Sequence, residues 1–388
     1  MSIYVSPQGV THAVEKVYIG IQGIAQELES IYAGVSGIAR VVFKRFSFKK
    51  YTGEIEEVTE ARNACGVASV GKYALFAGGG LGGYSTAAIV EAYDDTLTKS
   101  RADNLRSARD NVSGATVGDY ALFAGGSSYY WNNSNPFNQF WSYSTYSAVD
   151  AYDSSLVHSN PDGMTASKRF HCSGTVGNYA LFAGGYKSTN VCAYDTNLTR
   201  ISVTGLSVAR CTMGAATVGE YVLFAGGGND GTNCATVDAY DTTLTRVSAP
   251  DLGQKKDGLA GVGMADYALF AGGINGSSVY NDLELYDKTL TKCDTSAVLL
   301  APAARLSGIR VKDHAVFAGG KTNNTYVRTV NVFDRNLTLT QGEDLTEAHA
   351  SGGQNDNGNA AIAGKYVVFA CGVGDGGARC TGVDAYAI

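Results

Sequence analysis

Seven short apolar runs, each ending in a glycine pair or its near equivalent, punctuate the chain. They read YALFAGG at 73–79, 120–126, 179–185 and 267–273, YVLFAGG at 221–227, HAVFAGG at 314–320 and YVVFACG at 366–372. Each run has strand length and is bounded by turn residues, so it predicts a buried β-strand. The central phenylalanines are Phe76, Phe123, Phe182, Phe224, Phe270, Phe317 and Phe369, spaced 47, 59, 42, 46, 47 and 52 residues apart. A strand-centred period of this length is the mark of a repeat architecture.

A second landmark closes a V-x-A-Y-D-like run: Tyr93, Tyr152, Tyr194, Tyr240, Tyr286, Phe333 and Tyr386. From each of these aromatics to the next core Phe the distance is 30, 30, 30, 30, 31 and 36 residues, so this half of the repeat is nearly constant. The half from core Phe to aromatic carries the length variation. Each unit therefore predicts four strands. They are a small-residue run such as Gly114–Val117, the Tyr-Ala-Leu-Phe-Ala core, a run such as Val237–Tyr240, and a Leu-Thr-Arg run as at Leu244–Val247. Turns fall at the Val-Gly step before the core and at Asp-x-x-Leu-Thr before the fourth strand. Four short strands per unit, seven times over, predict an all-β, seven-bladed β-propeller at 44–388. The last unit stops at its third strand. Residues 47–58 are expected to supply the fourth, so that an N-terminal strand closes the ring and removes an open edge.

Residues 1–43 follow another rhythm. Tyr4, Tyr18 and Tyr32 are 14 apart, as are Gly9, Gly23 and Gly37, each followed by Val10, Ile24 or Ile38. Partial alternation predicts short strands broken by glycine turns, with a helix through 11–17 or 24–31 as the competing reading. Such strands are marginal alone. They call for further copies of themselves, a trimer among the options, or for a docking partner.

The composition adds exclusions. Of 388 residues, 49 are Gly and only 5 are Pro, which suits a glycine-punctuated β protein. A formal net charge of −6 argues against a nucleic-acid surface. No apolar run is long enough for a membrane-spanning helix. The opening MSIYVSPQGVTHAVEK has no basic region followed by an apolar core, so no signal peptide is expected. Eight cysteines without a C-x-x-C pair are expected to be buried, reduced thiols.

The diglycine at the end of the second strand, followed by an aromatic on the third, resembles Kelch repeats over about residues 46–388. One departure is the missing Trp of the fourth strand, whose comparable place is taken by Leu97, Leu156, Leu198, Leu244, Leu290 and Leu337. The runs VYIGIQGIA at 17–25 and IYAGVSGIA at 31–39 resemble short Tyr/Gly tandem repeats of tail-associated phage and prophage proteins. That resemblance implies a virion component, assembled in the bacterial cytoplasm and attached through residues 1–43.

Candidate chemistry is sparse. Arg62, Arg109, Arg169, Arg210 and Arg305, with Lys255, Lys256 and His349 near the same phase, fall on connections between fourth and first strands. They form either a basic ring for an anionic ligand or structural cations paired with acids and carbonyls. The five His (12, 158, 171, 314, 349) show no metal-ligand spacing, and no nucleophile motif occurs, so neither cofactor, metal nor catalysis is expected. The segment that departs from the repeat is 127–148, SSYYWNNSNPFNQFWSYSTYSA. It holds Tyr129, Tyr130, Trp131, Phe137, Phe140, Trp141, Tyr143 and Tyr146 and no charged residue. Aromatic rings among small polar groups suit recognition of a cell-surface glycan or a protein neighbour; packing of the loop on itself or on another subunit is the alternative. The function expected is non-enzymatic binding within a phage tail, baseplate or fibre, likewise as a homo-oligomer. An intracellular Kelch-type scaffold and an enzyme acting on carbohydrate are the alternatives. The latter needs loop acids such as Asp230, Asp356 and Asp375 to converge.

Overall fold

A computed structural model describes residues 18–21, 24–27, 30–35, 38–44, 46–132, 140–351 and 358–388. The chain divides into two compact units, Met1–Phe48 with Ile388, and Lys49–Ala387.

In the first unit, Tyr18–Ile21 pairs antiparallel with Ile24–Glu27, and Ser30–Val35 pairs with Ile38–Lys44. Ile21 faces Ile24 and, 14 residues on, Val35 faces Ile38. Each of these two 14-residue repeats is thus one hairpin. The helical reading fails at 24–31, because the β-branched residues there enter two strands. The stretch 11–17 and the first repeat, with Tyr4, lie outside the described residues.

The second unit is an all-β propeller of seven four-stranded antiparallel sheets, each in the order first, second, third, fourth strand. In blade 4 these are Gly214–Val218, Tyr221–Ala225, Val237–Asp241 and Arg246–Ser248. The first strands of consecutive blades touch one another all the way round, including Ala360–Ala363 of blade 7 against Gly66–Val70 of blade 1. They therefore surround the axis, and crowding there explains their small residues. A Cβ added at Gly114 or Gly261 would come within 2.2 Å of a carbonyl oxygen of the neighbouring blade.

The core phenylalanines are completely buried. Each meets the third-strand aromatic of its own blade edge-on, as in Phe224–Tyr240 at 6.1 Å and Phe369–Tyr386 at 5.8 Å. The pair packs onto the preceding blade: Phe224 and Tyr240 join Leu181, Val191 and Met213 in one apolar cluster. The Tyr hydroxyls escape desolvation by donating to a carbonyl, as Tyr240 does to Thr204 at 2.9 Å. Burial pushes these phenols well above their ordinary range.

Two expectations change in detail. The six leucines at 97, 156, 198, 244, 290 and 337 do not stand on the fourth strand. They occupy the turn before it with φ between 62° and 63°. The turn is held by the Asp side chain, which accepts from two backbone amides in each case; Asp241 Oδ1 accepts from Thr243 N at 2.8 Å and Thr245 N at 3.0 Å. The closing strand is also shorter than 47–58. Lys49–Lys50 alone pairs, with Ala387 and Tyr386, and Tyr51 N donates to Ala385 O. The chain then runs on irregularly, with Val58 N donating to Thr381 O. No helix among the described residues is long and apolar enough to cross a membrane.

Candidate functional site

The cations before each first strand separate by phase. Residues 14 positions before the core Phe are buried: Arg62, Arg109, Lys168, Arg210 and Lys256. Arg62 pairs with Glu91 at 2.7 Å, Arg109 with Asp150 at 2.5 Å, Arg210 with Asp238 at 2.7 Å and Lys256 with Glu284 at 3.1 Å. The three arginines also donate to the carbonyl of their own core Phe. In blade 7 His349 takes this role. Its ring nitrogens face the Cys371 carbonyl at 2.7 Å and Asp384 at 3.2 Å. The imidazole thus bridges a core-run carbonyl and a third-strand carboxylate, as the arginines do in their blades. Blade 6 has Ala303 here, and the acid is correspondingly replaced by Asn331, whose amide donates to Phe317 O. In blade 3 Cys192 stands where the acid would be. Lys168 then holds only the carbonyls of Phe182 and Asn190, and burial lowers it to about 7. These groups lie behind the strands, so Arg62, Arg109 and Arg210 do not form a ligand-facing basic ring.

Arg169 and Arg305 fall one and two positions later and have other fates. Twelve positions before the core Phe the backbone is left-handed: Ala64, Asn111, Phe170, Thr212, Gly258 and Arg305 have φ between 53° and 60°. Amides of one blade donate to carbonyls of the previous one along this line, from Asn111 to Ala64, Thr212 to Phe170, Gly258 to Thr212 and Arg305 to Gly258. The result is a hydrogen-bonded rim around the axis.

A cavity of about 420 Å³ opens over this rim. Ala64, Asn111, Phe170 and Arg305 reach it from blades 1, 2, 3 and 6, joined by Tyr84, Asp110, Tyr129 and Arg379. Arg379 Nε donates to Gly80 O at 2.9 Å and to Asn63 Oδ1 at 3.2 Å. Among the described residues Arg305 takes part in no ion pair. Asp110 is raised by burial, against hydrogen bonds from Ser127 and Asn111. Among the described residues the buried Oδ1 of Asn111 has no partner. The cavity thus offers two guanidinium groups, an acceptor awaiting a donor and aromatic surface.

Beside it stands the aromatic segment, which is a hairpin and not an irregular loop. Ser127–Asn132 pairs with Phe140–Thr145, setting Tyr129 opposite Tyr143 and residue 131 opposite residue 141. Blades 1, 4 and 5 carry a shorter version between the same strands, such as Gly228–Asn229 with Thr232–Asn233. The insertion lengthens a device the repeat already has. Tyr129 packs on Tyr84 with centroids 5.6 Å apart, and Arg169 lies 3.6 Å over the Tyr143 ring. Tyr84, Tyr130 and Tyr143 remain 52%, 45% and 42% exposed. Tyr146 serves the base, its hydroxyl bonded to Ser128 Oγ at 2.8 Å. Trp131, Phe140 and Trp141 belong to the strands, while Phe137 lies outside the described residues.

The remaining candidates are dispersed. His158 bonds Asp150 and stacks on Tyr152, and the buried His171 is lowered by desolvation to about 3. Among the described residues Glu347, His349 and Cys380 form a cluster of metal-ligating type. Both His349 nitrogens are already engaged there, by Cys371 O and by Asp384. Asp230 pairs with Lys187 and Asp375 with Arg328, so these loop acids do not converge; Asp356 and His12 lie outside the described residues.

No protein-family profile and no curated protein matches this chain. Among solved structures it is similar to YjhT, with a TM-score of 0.56 and 12% identity, over 74% of this chain and 99% of that one. At that identity the similarity shows the fold alone, a β-propeller.

Proposed function

We propose that this protein is a non-enzymatic glycan-binding component of a phage or prophage tail, attached through residues 1–43 and recognising carbohydrate with the face that carries the axial cavity. The observation that carries the binding role is the aromatic wall of Tyr84 and Tyr129 beside a cavity lined by Asn111, Arg305 and Arg379. Sugar rings stack on such faces through their C–H groups, while amides and guanidinium groups take the hydroxyls. The exposed Tyr130 and Tyr143 widen the surface at low entropic cost. The hairpins repeating every 14 residues support the attachment role, since two-stranded pieces need neighbours to be stable.

The test is binding of the full-length protein to a glycan array and to host cells. Tyr84→Ala with Tyr129→Ala, and separately Trp131→Ala with Trp141→Ala, are expected to lower affinity at least tenfold while the melting temperature holds. Binding unchanged in both pairs refutes the glycan site. Capture of a protein partner by the same face, with no glycan signal, would favour the scaffold reading. Removing residues 1–43 is expected to abolish incorporation into particles and leave glycan binding intact.

A further inference from the structure

Six blades end their second strand in a glycine that nothing else replaces: Gly78, Gly125, Gly184, Gly226, Gly272 and Gly319, all with φ between 63° and 71°. A Cβ at these positions would meet a carbonyl oxygen of the next blade at 2.1 to 2.9 Å. It would also approach the residue 11 positions before the next core Phe, such as Val112, Met213, Leu259 or Leu306. In blade 7 the position is Cys371, with φ 64°. It therefore bears a side chain where both the backbone and the space favour glycine. The residue it faces across the seam, 11 before Phe76, is Cys65. Both partners of the inter-blade contact have been exchanged together, at one seam only.

That seam joins the last blade to the first, blade 7 to blade 1. The usual inter-blade hydrogen bond is kept, Gly372 N to Arg62 O at 2.9 Å. Both thiols are fully or almost fully buried and belong to one apolar cluster that spans the seam. Arg62 adjoins them. Burial raises Cys65, whereas at Cys371 the neighbouring Cys65 and the charge of Arg62 outweigh burial and lower it. A guanidinium beside the pair favours a thiolate and opposes a metal cation.

We propose that Cys65 and Cys371 are a redox clasp, forming a disulfide that locks blade 7 to blade 1 and so closes the ring covalently. The oxidant is a small-molecule disulfide of the glutathione type. The Cys371 thiolate attacks one of its sulfurs and releases one thiol. Cys65 then loses its proton and attacks the Cys371 sulfur, releasing the second thiol. Two electrons and two protons leave the protein and appear in two small thiols. Because both sulfurs are buried, exchange requires a transient opening of the seam; the ring is fastened inside blade 7 by only two paired residues, Lys49–Lys50 against Ala387 and Tyr386.

The experiment incubates the full chain with oxidised glutathione a few degrees below its melting temperature, then denatures it in alkylating agent and maps the peptides. The result expected is a Cys65–Cys371 cross-linked peptide and a melting temperature higher than that of reduced protein by roughly 5 °C or more. The variant Cys65→Val with Cys371→Gly restores the pairing found between blades 1 and 2. It should fold and show no response to the oxidant. Both cysteines alkylated after oxidation, a cross-link without a change in melting, or an equal rise in melting in the double variant would each overturn the proposal.

Discussion

Arg210 shows how a single position is decided by its phase against the core Phe. It stands 14 before Phe224, so the guanidinium passes behind the sheet to the Phe224 carbonyl and Asp238. Removing one partner of such a buried pair leaves an uncompensated charge and costs about 3–5 kcal/mol. Blade 6 achieves the same geometry without charge, with Ala303 and Asn331. Urea unfolding should therefore show Arg210→Ala strongly destabilised, and Arg210→Ala with Asp238→Asn restored to within about 1 kcal/mol of the parent. Failure of the second change to rescue the first would mean the ion pair does more than balance charge. The same phase explains what the sequence concealed. Arg169 and Arg305 share the Ala-Arg or Lys-Arg look of the others, yet shifts of one and two residues send Arg169 onto Tyr143 and Arg305 into the cavity. Counting back from Phe182 and Phe317 would have separated them. Similarity of local sequence did not.

At the scale of elements, the strands were legible because Phe and Tyr recur at fixed distances, and the leucine turns were not. Asp-x-x-Leu-Thr reads as the entry to a strand, whereas the Asp side chain captures two amides and forces the Leu to positive φ. The closing strand was legible in place but not in length, since residues 51–58 find their hydrogen bonds outside a ladder. Its strength comes from Asp384, which accepts from Lys50 at 2.8 Å, from His349 and from Thr346. Burial alone would raise this carboxyl, but these hydrogen bonds hold it well below its usual value. A depressed folded value means the contribution is complete above the unfolded value, near pH 4, and is lost as pH falls towards the folded one. Asp384→Asn should lower stability at neutral pH and flatten the acid limb of the pH–stability curve. A parallel acid limb in the variant would show that closure does not rest on this carboxylate.

For the molecule as a whole, repetition builds a frame and function is sought in what does not repeat. The aromatic segment stood out by composition, and its eight rings were named without the structure. The axial cavity could not be foreseen, because Ala64, Asn111, Phe170, Arg305 and Arg379 come together only when distant blades close around the axis. Their meeting depends on ring closure, not on any local pattern. The short hairpin of blade 4 provides the decisive replacement. Exchanging residues 127–145 for Gly228–Asn233 should leave a folded propeller, because the same strands are joined that way elsewhere in the ring. The measurement is adsorption of this exchanged protein to host cells and glycans, with its melting temperature alongside. The account predicts unchanged melting within a few degrees and binding lost; full binding by the exchanged protein would contradict it.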